Sequence, residues 1–143
     1  EVAALNIDAH KLAKRVSLHE TDTMTALTKG PKFDLILSNP PYEPEGIYRR
    51  LPAEFKKEPK GSLVSGKDGL DVIRKLLTQA REALKPHGIL VIEVGGLQKT
   101  MHLAWPKLPI MWLPTADGAD CVCLIHAPDL RRELPSPSAR RGR

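Results

Sequence analysis

The apolar residues of this chain fall in short blocks whose spacing changes from one block to the next. Phe33-Asp34-Leu35-Ile36-Leu37-Ser38 is almost continuously apolar, as is Ile89 to Val94, and such runs predict buried strands of an α/β sheet. Between them Val72 to Leu84 predicts a helix, with Asp68 or Asp71 as its cap and Lys85-Pro86-His87-Gly88 as its stop. Upstream, about Val2 to Leu12 predicts a helix with Leu5, Ala9 and Leu12 on one face, and Arg15 to Asp22 alternates like a strand. Downstream, Leu97 to Ala104 predicts a short helix. Ile110 to Leu113 and Cys121 to Ile125 predict an antiparallel pair turning at Asp117-Gly118. No segment repeats.

Composition narrows the class. At 143 residues the chain has the length of one domain. No window of about 18 apolar residues occurs and no apolar leader precedes the first helix, so neither a membrane span nor secretion is expected and the location expected is cytoplasmic. The net charge of +5 is uneven: residues 129–143 hold five arginines against Asp129 and Glu133, a net of +3, which leaves +2 for the other 128 residues. With no basic stripe interleaved with aromatics, sequence-specific nucleic-acid binding is not expected. The stretch 129–143 reads as a basic Pro/Ser/Arg tail without structure, and 1–128 as the folded unit. Cys121 and Cys123 share one face of their strand and lack a His or Cys cluster nearby, so they read as reduced core residues rather than as zinc ligands. The five histidines are scattered without metal spacing, and no metal is expected.

The candidate chemistry sits where the first apolar run stops, at Asn39-Pro40-Pro41-Tyr42. An amide or aromatic NH2 is planar and barely nucleophilic. A site that methylates it needs acceptors aimed at both hydrogens and no competing donor. The Asn39 side-chain oxygen and the Pro40 carbonyl can each accept one N–H, Pro40 and Pro41 bring no backbone donor, and Tyr42 can lie against the planar group. The bland reading is a strand-ending turn, since Pro stops strands and Asn favours turns. Its position decides against that, because open α/β sheets bind ligands beyond the carboxyl ends of their strands.

The run Phe33 to Tyr42 as a whole resembles the signature strand of the S-adenosylmethionine-dependent amino-methyltransferases, a group that includes adenine-N6 and protein-glutamine enzymes. Leu51-Pro52-Ala53-Glu54-Phe55-Lys56-Lys57-Glu58-Pro59, Ser65-Gly66-Lys67-Asp68-Gly69-Leu70-Asp71 and Gly88 to Gly95 resemble the protein-(glutamine-N5) branch. Within it the Leu51 to Glu54 stretch is most similar to the enzymes that act on the large-subunit ribosomal protein L-three. The similarity covers about residues 1 to 127 and carries four separate motifs in the right order.

The resemblance implies a Rossmann-like class I methyltransferase sheet, mostly parallel with an antiparallel C-terminal strand pair. It also implies transfer of a methyl group from S-adenosylmethionine to a glutamine side-chain nitrogen of a ribosomal protein. Asn39, Pro40, Pro41 and Tyr42 match the catalytic motif. Asp22 and Asn39 match cofactor contacts, and Asn39, Pro40, Tyr42 and Glu58 match the substrate site. Lys57 departs from the family pattern, which has His before the Glu-Pro pair. Also without a counterpart are the first strands and an acidic-x-Gly-x-Gly segment ahead of the catalytic motif, so the sequence reads as an N-terminally incomplete catalytic domain with an incomplete cofactor site. Unpaired strand edges are then expected to promote self-association. An adenine-N6 methyltransferase is the alternative within the class. An inactive remnant, or a module that only binds a ribosomal protein, is the alternative outside it.

Overall fold

A computed structural model of the chain describes residues 1–116 and 118–135. Four strands form one sheet in the order β1-β2-β4-β3, with β1 at Phe33–Ser38, β2 at Leu84–Glu93, β3 at Met111–Leu113 and β4 at Val122–His126. The helices are α1 (Val2–Ala9), α2 (Glu45–Tyr48), α3 (Asp71–Ala83), α4 (Gln98–Ala104) and α5 (Ala127–Glu133).

The central crossover follows from the sequence pattern. Ile73, Leu76, Leu77, Ala80 and Ala83 are the buried residues of α3, all at helical spacing on one face. They meet one face of the sheet, where the register sets Ile36 beside Leu90 and Leu90 beside Ile125. Ile36, Leu90, Ile92, Cys123 and Ile125 all belong to this buried core, with Leu130 of α5. Burial pushes the Cys123 thiol up to about 12, as expected of a packed, unreactive cysteine.

Several expectations need correction. The sheet is not mostly parallel: only β1 and β2 run parallel, whereas β2 with β4 and β3 with β4 are antiparallel. The reason is connectivity, since α3 makes the one long crossover while β3 and β4 form the expected hairpin. Arg15 to Asp22 forms no strand. Alternation supplies faces but no hydrogen bonds, and with no strand beside it Val16 and Leu18 stay exposed. For the same reason β1 is an edge strand, and it is buried only at Ile36; Leu35 and Leu37 point to the other face, 46% and 68% exposed. Helix α1 stops at Ala9 and buries none of its residues. The cap of α3 is neither Asp68 nor Asp71 in the usual position: Val72 N–H donates to Ser65 Oγ at 2.8 Å and Leu70 N–H to Asp68 Oδ1 at 3.1 Å.

The expected boundary at residue 128 falls inside α5. Residues 127–133 are helical because Ala127, Leu130 and Leu134 supply an apolar stripe against the core and Pro128 suits a first turn. The side chain of Arg131 donates to the Leu84 carbonyl at 2.6 Å, tying this helix to the start of β2. Asp117 of the expected turn, and 136–143 of the expected tail, lie outside the described residues.

Candidate active site

Asn39 leaves the end of β1 directly beside the end of β2, where Ser38 pairs with Ile92. Pro40 is buried, so the segment is anchored, while Asn39 is exposed. Among the described residues the Asn39 carboxamide has no hydrogen-bond partner, which leaves its oxygen free to accept.

The segment after the prolines is held by the loop that precedes α3. Glu43 bridges Val64 in parallel, with Glu43 N–H donating to Leu63 O at 2.8 Å and Ser65 N–H to Glu43 O at 2.9 Å. Ser65 is 2% exposed and reaches the first turn of α3, so the site and the crossover helix share one hydrogen-bonded joint. Gly69 completes it. Its φ is +80°, and a Cβ there would stand 2.3 Å from the Tyr42 carbonyl oxygen. The Ser65 to Asp71 stretch therefore supports the Asn39 to Tyr42 segment.

Tyr42 is fixed from the other side by the turn after β2. At Gly95, φ is +52° and a Cβ would lie 2.5 Å from Tyr42 Cε2, so only glycine lets the ring come so close. The Tyr42 hydroxyl is pushed up to about 12, first by burial, then by the neighbouring Glu93 carboxylate, with smaller additions from Glu43 and Cys121. Glu93 itself accepts the Gly95 N–H at 2.9 Å.

These elements enclose a cavity of about 310 Å³ lined by Asn39, Pro40, Pro41, Tyr42, Glu43, Phe55, Glu58, Ser62 and Leu63. Asn39, Pro40, Tyr42 and Glu58, the expected substrate contacts, thus share one wall system. Glu58 is steadied by Ser62, whose hydroxyl lies 3.4 Å from its Oε2 and 2.7 Å from the Pro59 carbonyl. Sequence reasoning missed Phe55 and Ser62 as lining residues. An isolated aromatic among Lys56, Lys57 and Glu58 was the available signal, because a 41%-exposed Phe in a polar loop has no core to fill.

Asp22 is not on this cavity. It lies in a bend after the expected strand, accepts from Thr23 Oγ1 at 3.2 Å, and faces Lys75 Nζ of α3 at 3.5 Å. Nor do the described residues contain a helix start approached by clustered glycines, the arrangement that cradles a nucleotide-type cofactor. Among the described residues the groups present do not fit a whole S-adenosylmethionine. Among the described residues no group of His, Cys, Asp and Glu could hold a metal, and no helix is long and apolar enough to cross a membrane.

No protein-family model matches the chain. Individual proteins do. The ribosomal protein uL3 glutamine methyltransferase of Bradyrhizobium diazoefficiens is 44% identical over 131 residues, 91% of this chain and 40% of that protein. The enzyme of the same name from Burkholderia pseudomallei is 36% identical over 135 residues, 90% of this chain and 44% of its own length. That of Neisseria gonorrhoeae is 39% identical over 133 residues, with 93% and 44% covered. The chain spans about two fifths of the length of these curated relatives, and over nine tenths of its own length it is similar to ribosomal protein uL3 glutamine methyltransferases.

Proposed function

We propose that the cavity is the acceptor site of an S-adenosylmethionine-dependent methyltransferase that modifies the side-chain nitrogen of a glutamine in ribosomal protein uL3. The observation that carries this reading is the convergence of Asn39, Pro40, Pro41, Tyr42 and Glu58 on one cavity at the end of β1. A glutamine amide entering it meets the Asn39 oxygen and the Pro40 carbonyl as acceptors. Holding both N–H groups in that way keeps the nitrogen pointed at the donor and supports the positive charge that grows as the fourth bond forms. The flat flank of Tyr42 limits rotation of the amide plane. S-adenosylmethionine would supply an electrophilic methyl group, with the N–C bond forming as the sulfonium C–S bond breaks to leave a neutral thioether and the nitrogen losing one proton to solvent, while Asn39 and the Pro40 carbonyl orient the amide.

Mass spectrometry of ribosomal proteins from cells with and without the gene tests the proposal. The expected result is one uL3 glutamine that lacks its methyl group only in the deletion strain. Unchanged uL3 together with loss of methyladenine from DNA would replace the glutamine reading with the adenine one.

The cofactor side leads to a separate expectation. With Asp22 turned toward Lys75 and no glycine cradle among the described residues, the 143-residue chain is expected to bind S-adenosylmethionine weakly or not at all. Isothermal titration checks this; saturable micromolar binding by a cooperatively melting monomer would overturn it.

A further inference from the structure

The chain leaves the site at Glu43 and returns to it at Val64 through one joint, the bridge between those two residues. The loop so closed is held by its own hydrogen bonds. Phe55 N–H donates to Pro52 O and Glu58 N–H to Phe55 O, both at 3.2 Å, while Ser62 Oγ donates to Pro59 O at 2.7 Å and Lys56 Nζ to Arg49 O at 3.2 Å. The loop therefore places the backbone of Phe55 without help from its ring. The two phenylalanines of the chain differ in use: Phe33 is half-buried and packs against the core, whereas Phe55 lies outside the buried core and is 41% exposed. A single exposed apolar residue means little by itself. Of the large apolar residues left exposed among the described residues, however, Phe55 is the one that lines the cavity of Asn39 and Tyr42.

Resting on the acceptor-site reading above, we propose that Phe55 is a specificity-determining residue whose ring packs on the aliphatic part of the substrate, the glutamine methylenes and the peptide beside them. A glutamine side chain joins a polar, planar end to an apolar stem. The cavity has walls of both kinds, with polar atoms from Asn39 and Ser62 and apolar surface from Pro41, Leu63 and Phe55. Asn39 and Pro40 suit the amide, and Phe55 suits what carries it. An aromatic face is flat and rigid, so it covers a peptide stem while few rotatable bonds are frozen on binding. The ring is also the apolar part of the wall that the fold leaves open to solvent, and a bound peptide would remove that surface from water. Such a contact is the same before and during methyl transfer, because no charge develops on the stem. It therefore contributes uniform binding, which lowers KM for the protein substrate and leaves kcat unchanged.

The test uses the protein expressed from its own gene and a synthetic peptide spanning the target glutamine of uL3. Initial rates of methyl transfer give kcat and KM, and isothermal titration without cofactor gives Kd for the peptide. Phe55→Ala is expected to raise KM for the peptide and weaken its Kd about tenfold, with kcat and KM for S-adenosylmethionine unchanged. Phe55→Leu keeps most of the apolar surface and is expected to recover most of the loss. A fall in kcat with peptide KM unchanged, or an unmoved Kd, would overturn the proposal. So would loss of a cooperative melt in the alanine and leucine variants, because the ring would then support the loop rather than meet the substrate. Weakened peptide binding by Phe55→Ala, beside an unsubstituted protein that binds the peptide but transfers no methyl group to it, would remove the acceptor-site reading and leave Phe55 as a peptide contact. An unsubstituted protein that does not bind the peptide at all would remove both.

Discussion

Asn39→Ala, introduced into the gene, is expected to leave the uL3 glutamine unmethylated while the protein folds as before. Among the described residues the carboxamide makes no hydrogen bond and the residue is exposed, so its removal costs the fold little, within about 0.5 kcal/mol. What is lost is an acceptor whose value is realised when the amide nitrogen is aligned and charge develops on it. Loss of one such preorganised group costs about 2–4 kcal/mol of transition-state stabilisation. Mass spectrometry of the target glutamine, beside a thermal melt of the variant, measures both halves. Methylation at near the original rate would mean that Asn39 only ends a strand. Asn39→Asp makes a sharper comparison: its carboxylate still accepts but adds a charge beside Tyr42 and Glu43, so partial activity is expected from it and none from alanine.

Gly69→Ala is expected to have the largest effect on stability, at least about 3 kcal/mol. A left-handed backbone costs an alanine about 1–2 kcal/mol. Here the Cβ would in addition stand 2.3 Å from a carbonyl oxygen of Tyr42, a backbone atom that cannot rotate away. Relief requires the loop from Ser65 to Asp71 to part from the motif, which breaks the pairing of Glu43 with Val64 and the seat of α3 on Ser65. Denaturant melts provide the measurement, and Gly96→Ala is the control, because a Cβ there meets nothing within 4 Å. A midpoint for Gly69→Ala close to that of the control would show that the loop adapts freely and that the joint between site and helix is soft.

The two substitutions separate parts of the molecule that a motif reads as one signature. Asn39 is free and chemical; Gly69 is buried in its consequences and structural. Both stand in stretches that resemble the glutamine methyltransferases, yet only the arrangement in space sets the first on the wall of the cavity and the second against the carbonyl of Tyr42. Lys60, which lies 5.7 Å over the Tyr48 ring, belongs to the second kind as well.

Local pattern alone was enough for β1, β2, α3, α4 and the C-terminal hairpin, because each is a run whose own spacing matches one face that the core then covers. The end of β1 at Asn39-Pro40-Pro41-Tyr42 was equally legible, since two prolines and an asparagine stop a strand by their own geometry. Arg15 to Asp22 has just as clear an alternation and formed nothing, because a strand exists only when another backbone lies about 5 Å away to accept its hydrogen bonds. Asp22 accordingly lies in a bend beside Lys75 rather than at a strand end. Residues 129–133 erred in the opposite sense: their arginines read as solvated tail, but Leu130 and Leu134 found an uncovered part of the core and drew a helix onto it.

Sequence by itself determined β1, β2, α3, α4 and the C-terminal hairpin, and named Asn39, Pro40 and Tyr42 as candidates to hold an amide, since both readings depend on atoms within a few residues of one another. Tertiary structure alone decided that Glu93, 54 residues beyond Asn39, closes the turn behind Tyr42, that Phe55 lines the same cavity, and that Asp22 faces Lys75 instead. Those outcomes depend on how strands register and where loops cross, and neither is encoded in the spacing of any one segment.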